Sequence, residues 1–327
     1  MDAAMPVADA GQGSQSPDIG TMISPGECED EPVANPIQAR TGTVNGSSFL
    51  YTKKTDAKGL LLLFHGGGGS MDSNFSVRIE AVLIAQAAEA RGFALASLNS
   101  AKHLTQNPQD TKWEETAWVS GNPASNQDVS NALDMIALLR GSLNAVPANT
   151  PVFLMGFSNG GTMASNVAQG FDATAAVTYI SNSKAFKKAN AKVPPFMMVI
   201  GENDSNNMKI SAETIQDLHP EVQVFVNPPK PVMPGIFTRI PGISCEVSKS
   251  IGEELDSLAW LDSDDKLTMD PKDRNATPDW ASALPMEYRN GMAKDPFTDI
   301  LVERYAGHSP SADWNNIVFD FLEAQLP

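Results

Sequence analysis

One serine stands where an activated nucleophile would be placed. Ser158 lies in a Gly-x-Ser-x-Gly motif at 156–160, directly after the apolar run 152–155 and before a helix-capable stretch that begins at Thr162. A strand that enters such a motif must turn sharply into a helix past small neighbours, so the serine hydroxyl projects from the edge of a sheet. A plain glycine-rich turn has the same composition, but the flanking strand and helix favour a nucleophile. The pattern therefore predicts a serine hydrolase.

A second glycine cluster could supply the donors that such a nucleophile needs. Four glycines, 66–69, follow the apolar run 60–64. Acyl transfer requires backbone N–H groups that point at the developing oxyanion, and glycines let the main chain approach a substrate closely. We expect Gly67 or Gly68 to give one N–H group, and Asn159, which follows the nucleophile, to give the other.

Three other interpretations of this glycine loop are a phosphate cradle, a flexible turn and a metal site at His65. The loop lacks the Gly-Lys-Ser/Thr ending of a phosphate loop, and no partner ligands lie near His65 in the sequence. We therefore expect no metal and no cofactor. We expect His65 to order the loop rather than to transfer a proton.

The acid and the base of a catalytic triad are expected after the serine, in that order, each at the end of a strand. Asp204 follows the apolar run 195–200, with Glu202 as a neighbouring rival, and His308 follows the run 300–305. Of the four histidines in the chain, His308 alone has the required order and context. A turn-forming aspartate and a solvated surface histidine are the alternatives.

Together, these three residues could catalyse acyl transfer. His308 would take the proton of Ser158 as the hydroxyl attacks an ester carbonyl, and Asp204 would fix the imidazole tautomer and stabilise the imidazolium. The proton would then pass to the leaving alcohol, and a water would repeat the sequence to release the acid. The residues thus predict an acyl-enzyme mechanism.

Together the motifs resemble those of a known family. The run Ser-Asn-Gly-Gly-Thr-Met-Ala at 158–164, the His-Gly-Gly-Gly-Gly-Ser loop at 65–70 and the Asp-Val pair at 128–129 are similar to motifs of the α/β-hydrolases. Within that superfamily they look like the extracellular poly(3-hydroxybutyrate) depolymerase and feruloyl esterase-like group. The resemblance covers roughly residues 42–219 and 298–326. It implies carboxylic ester hydrolysis, often outside the cell on polymer or plant-wall substrates.

The elements that must position these residues alternate along the chain. Buried strand patterns and helical patterns follow one another, which predicts an α/β fold with a mostly parallel sheet covered by helices on both faces. We expect a flexible arm over 1–41, an α/β-hydrolase core over 42–220 and 296–327, and an insertion over 221–295. The insertion would form a lid or cap above the acid and histidine loops. A solvated extension remote from the site is the alternative.

Aromatic side chains near these motifs suggest a substrate pocket. Trp113 and Trp118 lie in a polar loop that is expected to open at the carboxyl edge of the sheet, where ligands bind. Either indole could line the acyl pocket or simply pack its loop onto the core. Phe157, inside the strand-to-helix turn, is expected beneath or beside Ser158, more as packing than as a determinant of specificity.

Net charge argues against some classes of partner. The chain of 327 residues has a formal charge of −16, with 23 Lys and Arg against 39 Asp and Glu. Nucleic acid and anionic membrane surfaces would repel such a chain, so we expect neither as a partner. The motifs and the resemblance lead us to expect a small-molecule or polymeric ester instead. The sequence leaves the oligomeric state open.

The two cysteines, Cys28 and Cys245, could join the arm to the insertion. A disulfide between them would suit an oxidising compartment, and two free buried thiols are the alternative. The sequence shows no leader with a positive start and an apolar middle, and no apolar stretch long enough to span a bilayer. We expect an extracellular or periplasmic protein whose signal peptide is absent from this sequence.

Three classes of function remain open at this level. A secreted serine carboxylesterase acting on hydroxyalkanoate, feruloyl-type or polyester substrates is favoured by the Ser-Asn-Gly-Gly run. A serine peptidase or amidase of the same fold would use the same triad. A catalytically silent binding protein is disfavoured, because nucleophile, acid, base and glycine loop are all present.

Overall fold

One sheet organises the molecule. The structure is a computed structural model that describes Cys28 and residues 31–104, 111–116 and 122–327. The strands are β1 (Arg40–Val44), β2 (Ser47–Tyr51), β3 (Gly59–Phe64), β4 (Phe93–Leu98), β5 (Val152–Phe157), β6 (Ala175–Tyr179), β7 (Phe196–Gly201) and β8 (Gln223–Asn227). They form an 8-stranded sheet in the order β1-β2-β4-β3-β5-β6-β7-β8.

This sheet is antiparallel at one edge and parallel elsewhere. β1 and β2 form a hairpin, and β2 pairs antiparallel with β4. From β4 through β3 to β8, every neighbouring pair is parallel. All residues of β3, β4, β5, β6 and β7 are buried, as expected for strands that are covered on both faces. The loops that follow β3, β5 and β7 therefore meet at the carboxyl edge of one sheet.

Helices cover both faces of the sheet. The α-helices of the described residues are α1 (Ile79–Ala90), α2 (Gln127–Arg140), α3 (Asn159–Gly170), α4 (Asn206–Leu218), α5 (Cys245–Ser257), α6 (Asp295–Arg304) and α7 (Asn315–Glu323). One apolar cluster joins the sheet to α2, α3 and α4, and includes Met163 and Ile215. The other joins it to α1, α6 and α7, and includes Val82 and Val318. The prediction of a mostly parallel sheet with helices on both faces is confirmed.

Two elements differ from the sequence-based expectation. Strand β8 lies inside the range 221–295 that was expected to be an insertion, yet it pairs in parallel with β7 and extends the sheet. The run 300–305, expected to be a strand before His308, belongs largely to helix α6. Periodicity does not distinguish a short buried strand from a buried piece of helix. Here Ile300 and Leu301 are buried in the apolar cluster that α6 shares with α1.

Residues 228–294, between β8 and α6, form what we call the inserted segment. It contains α5 and several short 3₁₀ turns. Its largest apolar side chains, Phe237, Trp260 and Trp280, are almost fully buried in the cluster that holds α1 and α6. The ring centroids of Phe237 and Phe297 lie 5.6 Å apart. The inserted segment is therefore a packed layer of the core on that face.

The described end of the N-terminal arm is docked against the rest of the chain. Ala34 and Ile37 are buried. The N–H group of Ala34 donates to the carbonyl of Arg239 in the inserted segment at 2.8 Å. The expectation of a flexible arm over 1–41 is therefore wrong for residues 31–39, because two apolar side chains and the main chain find partners there.

A disulfide ties this arm to the inserted segment. Cys28 is bonded to Cys245, the first residue of α5, with an S–S distance of 2.07 Å across a sequence separation of 217. The predicted pairing of the two cysteines is confirmed. Among the described residues, no helix is both long enough and apolar enough to cross a membrane.

Candidate active site

Ser158, His308 and Asp204 are joined by a chain of hydrogen bonds. Ser158 Oγ lies 2.7 Å from His308 Nε2, and His308 Nδ1 lies 3.0 Å from both carboxylate oxygens of Asp204. With the proton on Nδ1, this nitrogen donates to Asp204, and the Ser158 hydroxyl donates to Nε2. Asp204 is buried, whereas the rival carboxylate of Glu202 belongs to an exposed residue. The structure thus brings together the three side chains that the sequence suggests as a triad.

The turn between β5 and α3 requires glycine on both sides of the serine. Ser158 has φ 54° and ψ −119°, a conformation that few side chains adopt. A Cβ atom added at Gly156 would lie 2.2 Å from the carbonyl oxygen of Gly160, and one added at Gly160 would lie 2.1 Å from that of Phe64. The Ser158 N–H donates to the carbonyl of Tyr179 on β6 at 2.9 Å. These contacts hold the nucleophile at the carboxyl edge of the sheet.

The loop that carries the acid binds the loop that carries the histidine. Asn203 donates through its N–H to the carbonyl of Ala306 at 2.9 Å and through its side-chain amide to that of Tyr305 at 2.8 Å. Asp204 Oδ1 accepts the N–H of Ser205 at 2.6 Å. The Asp204 carboxylate thus accepts one hydrogen bond from a backbone N–H group and another from the His308 imidazole. These two bonds fix the orientation of the carboxylate.

Two backbone N–H groups beside Ser158 are candidates for an oxyanion hole. Asn159 is the first residue of α3, so its N–H has no acceptor within the helix. Gly67 lies next to it, since a Cβ atom added at Gly67 would be 3.9 Å from the Asn159 Cβ. The N–H of Gly68 instead donates to the carbonyl of Thr111 at 2.7 Å. Of the two glycines, Gly67 is therefore the candidate donor, and Gly68 anchors the loop.

Trp113 supports the glycine loop from behind. This residue is 1% exposed, and its indole N–H donates to the carbonyl of His65 at 2.8 Å. The ring centroids of Trp113 and His65 are 4.5 Å apart. The backbone N–H of Trp113 donates to Asn159 Oδ1 at 2.7 Å, which joins the glycine loop to the nucleophile helix. Of the two roles considered for Trp113, burial and these bonds favour packing of its loop onto the core over contact with a substrate.

A cavity of about 200 Å³ opens beside Ser158. Phe157 and Ile180 form an apolar part of its lining, and Phe157 stacks on Tyr179 with the centroids 5.5 Å apart. Phe157 therefore both packs against Tyr179 and borders the cavity beside Ser158. Trp118, the other tryptophan considered for substrate contact, lies outside the described residues.

Charged side chains that sequence reasoning missed also line this cavity. They are Arg78, Glu80, Lys272 and Asp299. Arg78 donates to Asp299 Oδ1 at 2.7 Å. The position of Arg78 in the sequence, between the glycine loop and α1, could have indicated that it lies at the site. Lys272 and Asp299 belong to no motif, and only the tertiary fold brings them near Ser158. Within the described ranges, no group of three or more His, Cys, Asp or Glu side chains is arranged to hold a metal ion.

An ion network lies beneath the segment that follows His308. Its members are Glu31, Glu80, Lys230, Arg239, Glu303, Arg304 and Asp313. Arg239 is at its centre, 2.9 Å from Glu80 and 2.7 Å from Asp313. Glu80 also accepts the N–H of Ala312 at 2.8 Å. Because Ala312 and Asp313 come shortly after His308, the network fixes the main chain beyond the base.

The same network shifts the pKa values of its carboxyl groups in opposite directions. Burial would raise the pKa of Asp313, but the attraction of Arg304 and two further cations outweighs burial and holds that pKa well below 3.8, its ordinary value. For Glu80, burial is the largest effect and raises the pKa, although Arg239 opposes it. Asp313 is thus the anion that the surrounding cations share at neutral pH.

Three solved structures illustrate what this chain is similar to. An alpha-beta serine hydrolase homologue from Coxiella burnetii is 12% identical over 64% of this chain and 90% of its own, with a TM-score of 0.44. A thermophilic esterase from Thermogutta terrifontis is 13% identical over 62% of this chain and 85% of its own, with a TM-score of 0.41. A poly(3-hydroxybutyrate) depolymerase from Bordetella parapertussis is 12% identical over 69% of this chain and 90% of its own, with a TM-score of 0.43.

No family model matches the chain, and neither does any curated protein. The fold therefore follows from the molecule itself. The mostly parallel eight-stranded sheet, the helices on both of its faces and the strand–turn–helix around Ser158 are the features of an α/β-hydrolase fold. The chain has this fold.

Proposed function

We propose that this protein is a serine carboxylic ester hydrolase in which Ser158 is the nucleophile, His308 the general base and Asp204 its partner. One observation carries the proposal: the Ser158 hydroxyl lies 2.7 Å from an imidazole nitrogen, and the other imidazole nitrogen lies 3.0 Å from a buried carboxylate. A serine hydroxyl is a weak nucleophile until an adjacent base can take its proton. The base in turn needs an anion that fixes its tautomer.

The proposed reaction has two steps, the acylation and the deacylation of Ser158. In acylation, Ser158 Oγ attacks the ester carbonyl carbon while its proton moves to His308 Nε2, and the oxyanion accepts hydrogen bonds from the N–H groups of Asn159 and Gly67. The bond to the alcohol then breaks, and His308 gives its proton to the leaving oxygen. In deacylation, a water attacks the acyl carbonyl with His308 as base, and the acid leaves as Ser158 recovers its proton.

The substrates that we propose are hydroxyalkanoate, feruloyl-type or polyester compounds outside the cell. The resemblance of the run at 158–164 to the poly(3-hydroxybutyrate) depolymerase and feruloyl esterase-like group supports this class. The disulfide between Cys28 and Cys245 supports an oxidising compartment, because cytosolic thiols are usually kept reduced. A cavity of about 200 Å³ holds only the part of such a substrate that lies next to the scissile bond.

A series of p-nitrophenyl esters from acetate to decanoate, with methyl ferulate beside them, tests the proposed activity. Wild-type protein should hydrolyse at least part of the series, and Ser158→Ala should lower kcat by roughly 1000-fold or more. A fluorophosphonate probe should modify Ser158, as located by peptide mass spectrometry. Ser257→Ala, at the exposed end of α5, is the matched control and should keep the wild-type rates.

Two outcomes would contradict the proposal in different ways. Turnover that persists in Ser158→Ala would assign ester cleavage to another group. Wild-type protein that neither hydrolyses any ester nor reacts with the probe would show that the serine is not activated. Where esters are hydrolysed, the dependence of kcat/KM on acyl length measures how much of the substrate the cavity accepts.

A further inference from the structure

The lining of the cavity beside Ser158 contains two cations in a strongly acidic chain. These cations, Arg78 and Lys272, lie there with two carboxylates, Glu80 and Asp299. The lining is therefore formally neutral, whereas the chain as a whole has a formal charge of −16. The two cations come from different parts of the fold, since Arg78 directly precedes α1 and Lys272 belongs to the inserted segment.

Most of the acidic groups at this cavity already have a cationic partner. Asp299 Oδ1 accepts a hydrogen bond from Arg78 at 2.7 Å. Glu80 is bound by Arg239 of the ion network at 2.9 Å. The acid of the proposed triad is bound to its histidine. The carboxylates of Asp299 and Glu80 are therefore already paired with cations before any substrate arrives.

Lys272 is the lining cation that lacks an acidic partner at close range. No carboxylate of a described residue lies within 4.0 Å of its ammonium, which donates to the main-chain carbonyl of His308 at 3.3 Å. Loss of hydration lowers the pKa of Lys272, and Asp299 opposes that shift from a longer distance. Lys272 is an exposed residue at the cavity, so its ammonium is open to an anionic ligand and can bind it through charge-assisted hydrogen bonds.

The Lys272 ammonium is connected to Ser158 through His308. Lys272 contacts the main chain of His308, and the ring of the same histidine contacts Ser158. Lys272 and Ser158 also line the same cavity, so a group bound by Lys272 lies in the cavity that the nucleophile faces. A short substituent on the acyl or the alcohol side of an ester can span the interval between Ser158 and Lys272.

We propose that substrates of this site carry a carboxylate or a similar anionic group, and that Lys272 binds this group while the ester carbonyl lies at Ser158. This assignment rests on the proposed ester hydrolysis and adds the chemistry of the bound group. Arg78 contributes to the local potential but is engaged with Asp299. Lys272 is thus the specificity-determining residue, and the inserted segment selects substrates through it.

Two pairs of esters, each differing only in one charge, test this assignment. On the acyl side, the mono-p-nitrophenyl ester of adipic acid is compared with the same ester whose free carboxylate is a primary amide. On the alcohol side, 4-butyryloxybenzoate is compared with 4-butyryloxybenzamide. The readout is the ratio of kcat/KM for the anion to kcat/KM for the amide, which cancels general effects on catalysis.

Wild-type protein should prefer the anion in at least one pair, and Lys272→Gln should lower that ratio several-fold, the effect expected of one ion pair at an exposed site. Lys272→Arg should restore most of the ratio. Asp299→Asn should increase it, because the variant removes a negative charge from the same lining. Lys294→Gln is the matched control, since that lysine lies over Trp280 and outside the lining, and it should leave the ratio unchanged.

The outcomes separate this assignment from the proposed activity. Hydrolysis of the amide members with no preference for the anion would overturn the role of Lys272 and leave the esterase intact. Equal losses on both members in Lys272→Gln would mean that the residue only ties the inserted segment to the histidine loop, and would also overturn it. No turnover of any of the four esters, with no probe labelling of Ser158, would contradict the hydrolase itself.

Discussion

At the scale of single residues, the closest fit at the site is between Gly160 and the strand that feeds the glycine loop. A Cβ atom at Gly160 would lie 2.1 Å from the carbonyl oxygen of Phe64 and 2.5 Å from that of His65. Gly160→Ala should therefore push the glycine loop away from Ser158. We expect kcat to fall by about 100-fold or more, as when one oxyanion donor is lost, and the free energy of unfolding to fall by about 1–3 kcal/mol.

Steady-state kinetics and urea unfolding measure both effects. Gly252→Ala is the control, because α5 offers open space around that glycine. Alanine in a helix should stabilise the protein by about 0.5–1 kcal/mol and leave kcat unchanged. Wild-type activity in Gly160→Ala would show that the glycine loop can shift without loss of function.

The indole of Trp113 supports a second prediction at this scale. Trp113→Phe keeps most of the ring but leaves the carbonyl of His65 without its donor, so the glycine loop should lose orientation. We expect kcat to fall several-fold at similar KM, with about 1 kcal/mol lost from the free energy of unfolding. Trp314→Phe also loses one indole bond, to Asn227 at 2.9 Å, and should lose similar stability at unchanged kcat. Equal kinetic effects in the two variants would contradict a specific role for Trp113.

Residues whose chemistry depends on chain order could be found from the sequence, and residues that depend on tertiary approach could not. Ser158, Asp204 and His308 follow one another in a known order, and the structure brings them into contact. Gly67 and Gly68 look equivalent in sequence, and only the bond from Gly68 to the carbonyl of Thr111 separates them. The sequence around Lys272 does not indicate its place at the cavity. A lysine in a helix or a loop has the same local sequence pattern whether it faces solvent or a cavity.

At the scale of elements, strands covered on both faces were predictable and the surroundings of the histidine loop were not. Continuous apolar runs such as 60–64 and 152–155 have few alternatives to a buried strand. Strand β8 lies at the edge of the sheet and only one of its five residues is buried, so its apolar pattern is weaker. Helix α6 is apolar toward α1 over only a few residues, and a run of that length predicts a strand equally well.

The ion network beneath the histidine loop gives a prediction for an element. Asp313→Asn leaves three cations, including Arg239 and Arg304, without the anion that they share. We expect the free energy of unfolding to fall by about 1–3 kcal/mol, because the buried guanidinium groups of Arg239 and Arg304 lose one of the carboxylates that accept their hydrogen bonds. Asp264→Asn, whose carboxylate is 72% exposed and 3.9 Å from Lys266, should change stability by less than about 0.5 kcal/mol.

The effect of Asp313→Asn should also depend on pH. The folded pKa of Asp313 is held below 3.8, so its stabilisation is fully present above that value and is lost as the pH falls below it. The difference in free energy of unfolding between wild type and variant should be constant from neutral pH to about pH 5 and then shrink toward about pH 3. Urea unfolding at these pH values measures the difference. A difference that grows in acid would give the wrong sign for a depressed pKa.

At the scale of the whole molecule, the disulfide closes a loop that spans most of the chain. The sequence separation of 217 between Cys28 and Cys245 predicts a large gain, up to about 5 kcal/mol in the chain-entropy model. The double variant Cys28→Ser/Cys245→Ser should lose up to that much stability and keep its esterase kcat well below the melting temperature, since neither cysteine lines the cavity. Calorimetry with and without a reductant provides the comparison. Unchanged stability would mean that the arm is held by its other contacts alone.

Arg239 also determines when the site can form during synthesis. Its partners Glu31 and Asp313 come from early and late parts of the chain, and Asp313 follows the catalytic histidine. A nascent chain that has emerged only as far as α5 already contains Ser158 and Arg239, but it lacks both His308 and Asp313. On the proposed mechanism, such a chain has no base beside the hydroxyl and cannot hydrolyse esters. The proposed activity would therefore be among the last properties that the protein acquires.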